Sequence, residues 1–200
     1  MKKAEIPQHI VDTAMSLAAE KGWRDVSLAD ISSSAKIPLA KIHDLFPSKR
    51  AILTYISSSV DNQVTDDEDG DRLEQSAKDR LFDLLMNRFD ALQSYKVGLA
   101  SVVHDGCRDP FMGISYLYNL RHSMALVLEV AGLSTSGIRG VIRIKVLSLL
   151  YIKIFQVWLH DDSVDLSKTM SALDKGLERI DTWARRCSRS GGHEKSAHAL

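Results

Sequence analysis

Apolar residues recur at intervals of three and four along nearly the whole chain, and this spacing constrains the fold more than any other feature. The first such window runs from Ile6 to Lys21, and the last runs from Leu166 to Trp183. This period places apolar side chains on one face of an α-helix, whereas a strand requires strict alternation, which the sequence almost lacks. The sequence therefore predicts an all-α fold.

The N-terminal segment predicts short helices with local start and stop signals. Gly22 suits the left-handed end of a first helix. Ser27 and Asp30 predict a capping box that opens a second helix. A brief turn at Ala35–Ile37 leads to a third helix over Pro38–Phe46. A supporting helix, a tight turn and a second helix form a helix-turn-helix unit.

The acidic stretch Asp61–Asp71 is predicted to be solvated, either as a loop or as a frayed helix end, and to separate two domains. The predicted division is a helix-turn-helix domain over 1–60, a larger helical domain over 72–187 and a disordered polar tail over 188–200. Within the larger domain, Ile138–Leu159 is apolar on almost every face, so this helix must be covered on both sides. The excess apolar surface of this helix and of Leu166–Trp183, the last two helices, predicts a homodimer.

Composition limits the classes of function. Twenty-six Lys and Arg balance twenty-six Asp and Glu, so any nucleic-acid site must be a local patch. The two cysteines lack metal-ligand partners at usable spacing, which favours a reducing cytoplasm and predicts no metal site. No glycine-rich phosphate loop or nucleophile elbow occurs, so neither an enzyme nor a cofactor is expected. No apolar run approaches the ~20 residues of a membrane span.

The N-terminal residues resemble the TetR family of bacterial regulators. The resemblance lies in Ile10, Ala14, Leu17, Gly22-Trp23, Val26–Ile31, Ala35 and Ile37, followed by Phe46–Lys49 and Ile52-Leu53. It implies a TetR-like fold, in which an N-terminal three-helix domain binds double-stranded operator DNA and a larger helical domain binds ligand and dimerises. The function it implies is a ligand-responsive transcriptional regulator acting as a homodimer.

That fold would place the Pro38–Phe46 helix against the major groove. Lys41 and His43 could donate to phosphates or base edges, whereas Leu39 and Ala40 could make only apolar contacts, such as with a thymine methyl. The predicted DNA-binding residues are Ser27, Lys36, Leu39, Ala40, Lys41, His43 and Lys49. Ser27 is also a helix cap, and Asp44 would face phosphates unfavourably. This basic patch is thin, so binding should be modest for each protomer and should need the dimer.

A small apolar or lipid-like ligand is expected between the C-terminal helices. The predicted lining residues are Phe82, Met86, Phe89, Tyr116, Leu120, Arg121, Met124, Tyr151, Phe155 and Trp158. Apart from Arg121, each of them is more often an ordinary core residue. Of the adjacent Arg121 and His122, one is expected to face solvent and the other could bind a ligand head group. The sequence His160–Asp162 predicts a solvated loop rather than a metal site.

Two C-terminal segments resemble the family of ubiquinone-biosynthesis accessory proteins. The first segment is Asp79–Gln93, and the second comprises Val157–Ser163 and Leu166–Asp174. The resemblance implies a lipid-binding accessory protein with a TetR-like fold, which serves a partner hydroxylase and does not bind DNA. The sequence leaves this alternative open beside the regulator.

Overall fold

A computed structural model describes residues 5–66, 75–106 and 110–190, with the backbone alone described at 66, 110–116 and 187–190. In these residues the regular structure is entirely helical, as the apolar spacing predicted. The helices are α1 (Ile6–Lys21), α2 (Leu28–Ala35), α3 (Leu39–Leu45), α4 (Lys49–Asp66), α5 (Ala77–Leu92), a 3₁₀ turn (Gln93–Tyr95), α6 (Lys96–Gly106), α7 (Pro110–Val130), α8 (Gly137–Leu159) and α9 (Ser167–Ser190).

The first compact unit comprises Met1–Glu68 and Asn87–Leu126. Each of its first four helices contributes one isoleucine with no exposed surface; these are Ile10, Ile31, Ile42 and Ile52. Helix α6 lies directly against α1. A Cβ atom added to Gly98 would stand 2.6 Å from the carbonyl oxygen of Met15, so this approach requires glycine.

The second compact unit comprises Asp69–Met86 and Val127–Leu200. Its core includes Leu147, Ile154 and Trp158 of α8, which are buried together with Leu173 and Leu177 of α9. The outer side of α8 is left open within the chain. Three of its apolar residues, Ile138, Ile142 and Leu149, are 82%, 41% and 69% exposed. The described residues therefore do not supply the expected cover on both sides of α8.

Two helices end within segments that the sequence assigned to neither domain. Helix α4 reaches Asp66, so its end forms the first part of the acidic stretch, and its Val64 is buried. Helix α9 runs to Ser190, past the predicted start of a disordered tail at residue 188, and residues 191–200 lie outside the described part. Both helices extend because polar residues at an exposed helix end do not interrupt the backbone hydrogen bonds.

The domains 1–60 and 72–187 remain predictions, since the two units describe contacts within the chain. Helices α5 and α7 each contribute to both units, so the contact boundaries fall within these helices. None of the helices in the described ranges is long and apolar enough to cross a membrane.

Candidate nucleic-acid interface

Local hydrogen bonds build the helix-turn-helix. The Ser27 hydroxyl accepts from the backbone N–H of Asp30 at 3.1 Å, and the Asp30 carboxylate accepts from the N–H of Ser27 at 2.8 Å, which confirms the capping box. Bonds from the Ser27 side chain and from Lys21 hold the pKa of Asp30 well below its usual range. Lys36 then adopts a left-handed conformation with φ 55°, which ends α2 and turns the chain towards α3.

Helix α3 buries one side chain and exposes the rest. Ile42 is fully buried and anchors the helix, whereas Ala40, Lys41 and His43 are exposed. Leu39, the first residue of α3, is 45% exposed. An exposed leucine side chain does not gain the stabilisation that burial would give it. The predicted recognition helix therefore presents Leu39, Ala40, Lys41 and His43 together to solvent.

The predicted phosphate ligand Lys49 points elsewhere. Its ammonium donates to the carbonyl oxygens of Trp23 at 2.6 Å and of Arg24 at 3.3 Å, and lies 4.9 Å from the centre of the Trp23 ring. Burial lowers the pKa of Lys49. Lys49 thus ties the start of α4 to the turn after α1. This role depends on residues 25 and 26 positions away and left no signal in the sequence.

Arg50 is a basic residue of this region that the predicted DNA-binding set does not include. It follows Lys49 at the start of α4, and its side chain is exposed. The adjacent pair Lys49-Arg50 is visible in the sequence, but only the structure shows that Lys49 faces inward and Arg50 outward. Ser27 and Lys36 are exposed as predicted.

The turn between α1 and α2 is also fixed from the side of α6. The backbone N–H of Trp23 donates to the Ser101 hydroxyl at 2.7 Å, and that of Arg24 donates to the Asp105 carboxylate at 2.8 Å. Together with Lys49, these bonds hold the turn that precedes α2. The helix-turn-helix is therefore fastened to a helix outside the N-terminal segment, within the same compact unit.

The predicted ligand residues are distributed over both compact units. Phe89, Leu120, Arg121 and Met124 belong to the first, whereas Phe82, Met86, Tyr151, Phe155 and Trp158 belong to the second. Most are buried or half-buried apolar side chains, and the rings of Phe155 and Trp158 lie 5.1 Å apart. The Tyr116 side chain lies outside the described residues.

Arg121 and His122, of which one was expected to bind a ligand head group, both have exposed side chains. Binding of a head group by either residue remains a prediction. Consecutive residues on a helix point about 100° apart, which leaves room for both on an outward face.

The buried polar group of this region is Arg88 instead. Its guanidinium bonds to the Asp61 carboxylate and donates to the hydroxyls of Ser57 at 3.1 Å and of Ser123 at 3.4 Å. The Ser123 hydroxyl in turn donates to Asp61 at 2.6 Å. The side chains of Arg88 and Asp61 are only 4% and 12% exposed, so the expectation that Asp61 would be solvated is wrong.

Asp161 is also buried, although a solvated loop was predicted there. The predicted solvated loop His160–Asp162 buries Asp161, whose carboxylate accepts from the Thr169 N–H at 2.8 Å, from the Thr169 hydroxyl at 2.7 Å and from Ser163. Although burial by itself raises the pKa of Asp161, these hydrogen bonds outweigh it and hold the pKa below its usual range. Asp161 thus fastens the loop to the first turn of α9. Among the described residues, no group of His, Cys, Asp or Glu is placed to hold a metal ion.

The chain is similar to known proteins both in sequence and in structure. Residues 10–56 match the family model for bacterial regulatory proteins of the tetR family, a span that contains α2, the turn and α3. No curated protein matches the chain. A TetR transcriptional regulator from Nitrosomonas europaea superposes with a TM-score of 0.72 at 23% identity, covering 89% of this chain and 98% of the other.

Two further solved structures are similar to this chain. A TetR transcriptional regulator from Rhodococcus sp. RHA1 gives a TM-score of 0.59 at 16% identity, covering 90% of this chain and 97% of the other. A tetR-family regulator from Streptomyces coelicolor gives 0.54 at 15%, covering 88% and 83%. Residues 10–56 thus match the tetR-family model, and the chain has the fold of TetR-family transcriptional regulators.

Proposed function

We propose that this protein is a cytoplasmic transcriptional regulator that binds operator DNA as a homodimer and responds to a small ligand. The observation that carries the proposal is the solvent-facing surface of α3, within the segment that matches the tetR family. A seven-residue helix that buries only Ile42 has the rest of its surface available for another molecule.

The chemistry of that surface suits the major groove. Lys41 and His43 offer N–H donors for phosphates or for guanine, and exposed Leu39 and Ala40 offer apolar contact to a thymine methyl. Lys36 and Arg50 flank α3 and would contact phosphates. Lys49 is excluded from this set, because its ammonium is bound to the Trp23 and Arg24 carbonyls.

The exposed face of α8 supports a homodimer. Ile138, Ile142 and Leu149 lie at positions i, i+4 and i+11, which fall on one stripe of a helix. Such a stripe is normally buried, since apolar surface in water costs roughly 25 cal/mol per Å². A second copy would cover it, and a dimer that binds a palindromic operator must present its two α3 helices to half-sites about 34 Å apart.

The ligand response would arise by linkage. A ligand that favours a separation of the α3 helices other than that of the operator lowers operator affinity, and operator lowers ligand affinity by the same factor. The apolar residues predicted to line the ligand site, from Phe82 to Trp158, remain candidates for that role.

The test is operator binding across a salt series. A palindrome would first be selected from random duplexes with the wild-type protein. The Lys41→Ala/His43→Ala double variant should then bind that palindrome at least about tenfold more weakly. Its slope of log affinity against log salt should become shallower by roughly one for each phosphate that a protomer no longer neutralises.

A matched control replaces one exposed lysine and one exposed histidine elsewhere, Lys168→Ala/His122→Ala. This variant should keep both the affinity and the salt slope. Equal affinity and equal slope in the α3 variant and the wild type would contradict the proposal. Failure to enrich any palindrome from the random duplexes would also contradict the proposal. DNA binding would then be weak and independent of sequence.

A further inference from the structure

A cleft of about 180 Å³ lies within the first compact unit, apart from the DNA surface and from the predicted ligand residues. It is lined by α1, by α4 and by the end of α5 with its 3₁₀ turn. Its floor is formed by the buried side chains of Val11, Ile56 and Val60. An engineered apolar cavity of about 150 Å³ holds benzene, so the volume suits a single six-membered ring with small substituents.

One wall of the cleft is a ladder of neutral polar groups. Tyr55, Ser59 and Gln63 lie four residues apart on α4, which spaces successive rungs by about 6 Å along one helix face. Their hydroxyls and carboxamide form no hydrogen bond within the described part of the chain. Three polar groups above an apolar floor can therefore bind the polar edge of a ring at no cost in internal hydrogen bonds.

Hydrogen bonds between side chains of α1 and the 3₁₀ turn hold the opposite wall of the cleft in place. The Tyr95 hydroxyl donates to the Asp12 carboxylate at 2.9 Å and accepts from the Gln8 amide, which also donates to Asp12 at 2.8 Å. Burial and the bond to Asp12 raise the pKa of Tyr95 to about 12, so its hydroxyl stays neutral. No charged side chain is among the described lining residues. An ionised ligand would lose hydration here without gaining a counter-charge.

We propose that this cleft binds a small uncharged ring compound that carries hydroxyl or carbonyl groups, with the ring on Val11, Ile56 and Val60 and the polar edge on Tyr55, Ser59 and Gln63. Helices α1 and α4 belong to or adjoin the helix-turn-helix. A ligand bound in the cleft would link both of them to the 3₁₀ turn. An effect on operator affinity follows by linkage and rests on the proposed function, whereas binding itself does not.

The experiment uses three probes of similar size and different charge: phenol, benzoate and benzylammonium. Binding to the full chain without DNA is followed by the ¹³C-methyl NMR signals of Val11, Ile56 and Val60. Phenol should shift these signals in a saturable manner. The two ions should bind at least about tenfold more weakly, because the cleft offers no counter-charge.

Two variants localise the site. Ala91→Leu fills the cleft from α5 and should abolish the phenol shifts, whereas Ala19→Leu, at an exposed alanine of α1 outside the lining set, should leave them unchanged. A third variant, Gln63→Ala, changes an exposed rim residue without disturbing the floor and should weaken phenol binding several-fold. Equal phenol binding by the wild type and Ala91→Leu, or benzoate binding as tight as phenol, would overturn the site.

Operator binding is measured separately with saturating phenol. An unchanged operator affinity, with phenol bound, would overturn the coupling and leave the site standing. Absence of any operator binding by the ligand-free protein would instead remove the proposed function, while the NMR result still decides whether the cleft binds rings.

Discussion

Removing the Asp61 carboxylate should destabilise the protein more than any change at a surface ion pair. Arg88 is 3% exposed, and Asp61 is a charged partner of its guanidinium in the network with Ser57 and Ser123. Removing one partner of a buried ion pair costs about 3–5 kcal/mol. With a urea m-value of about 2 kcal/mol/M, Asp61→Ala should lower the midpoint by about 1.5–2.5 M.

The same argument predicts that removing both charges costs less than removing one. Replacement of a buried ion pair by apolar side chains is often neutral or stabilising, because neither ion then has to be desolvated. Asp61→Ala/Arg88→Met should therefore be more stable than Asp61→Ala alone. Urea unfolding followed by circular dichroism at 222 nm, at one fixed protein concentration, measures all three proteins.

A surface pair provides the matched control. Lys78 and Asp174 lie 2.7 Å apart, but their side chains are 30% and 53% exposed. Asp174→Ala should leave the midpoint nearly unchanged, because exposed salt bridges contribute little. A loss below about 1 kcal/mol for Asp61→Ala, or a double variant no more stable than Asp61→Ala alone, would refute the reasoning.

Two further predictions concern packing. Leu149→Glu on the exposed α8 stripe should convert a dimer to a monomer in sedimentation, whereas Val97→Glu, at a residue 67% exposed on α6, should not; a dimer that persists in the Leu149→Glu variant would contradict the α8 interface. Gly98→Ala should lower the free energy of unfolding by about 1–3 kcal/mol, because its Cβ would meet backbone rather than a movable side chain. Gly106→Ala, in the same helix with no atom within 4 Å, should cost nothing in the same urea titration, and equal losses at both glycines would contradict the close approach of α6 to α1.

The features that the sequence determined are local. Gly22 and Gly132 follow the ends of α1 and α7 with φ values of 91° and 76°, and Ser27 with Asp30 caps α2. Each of these depends on residues within one helical turn, so the spacing along the chain contains the whole interaction. For the same reason the all-helical fold and the position of α3 followed from the apolar period.

The tertiary structure decided what each polar side chain meets. The charges of Lys49 and Asp61 predict DNA or solvent as their surroundings, yet one binds the Trp23 carbonyl and the other binds Arg88. Their partners are 26 and 27 residues away. Helical period gives the face on which a residue lies, but not the element packed against that face.

The cleft with its Tyr55–Gln63 ladder shows the same limit. Its residues come from α1, α4, α5 and the 3₁₀ turn, and nothing in their spacing marks them as neighbours. A binding site made of short segments from distant parts of the chain exists only once those segments pack. The sequence therefore determined which helices form and which of them carries the exposed basic face, whereas the packing of those helices determined which polar groups remain available for a ligand.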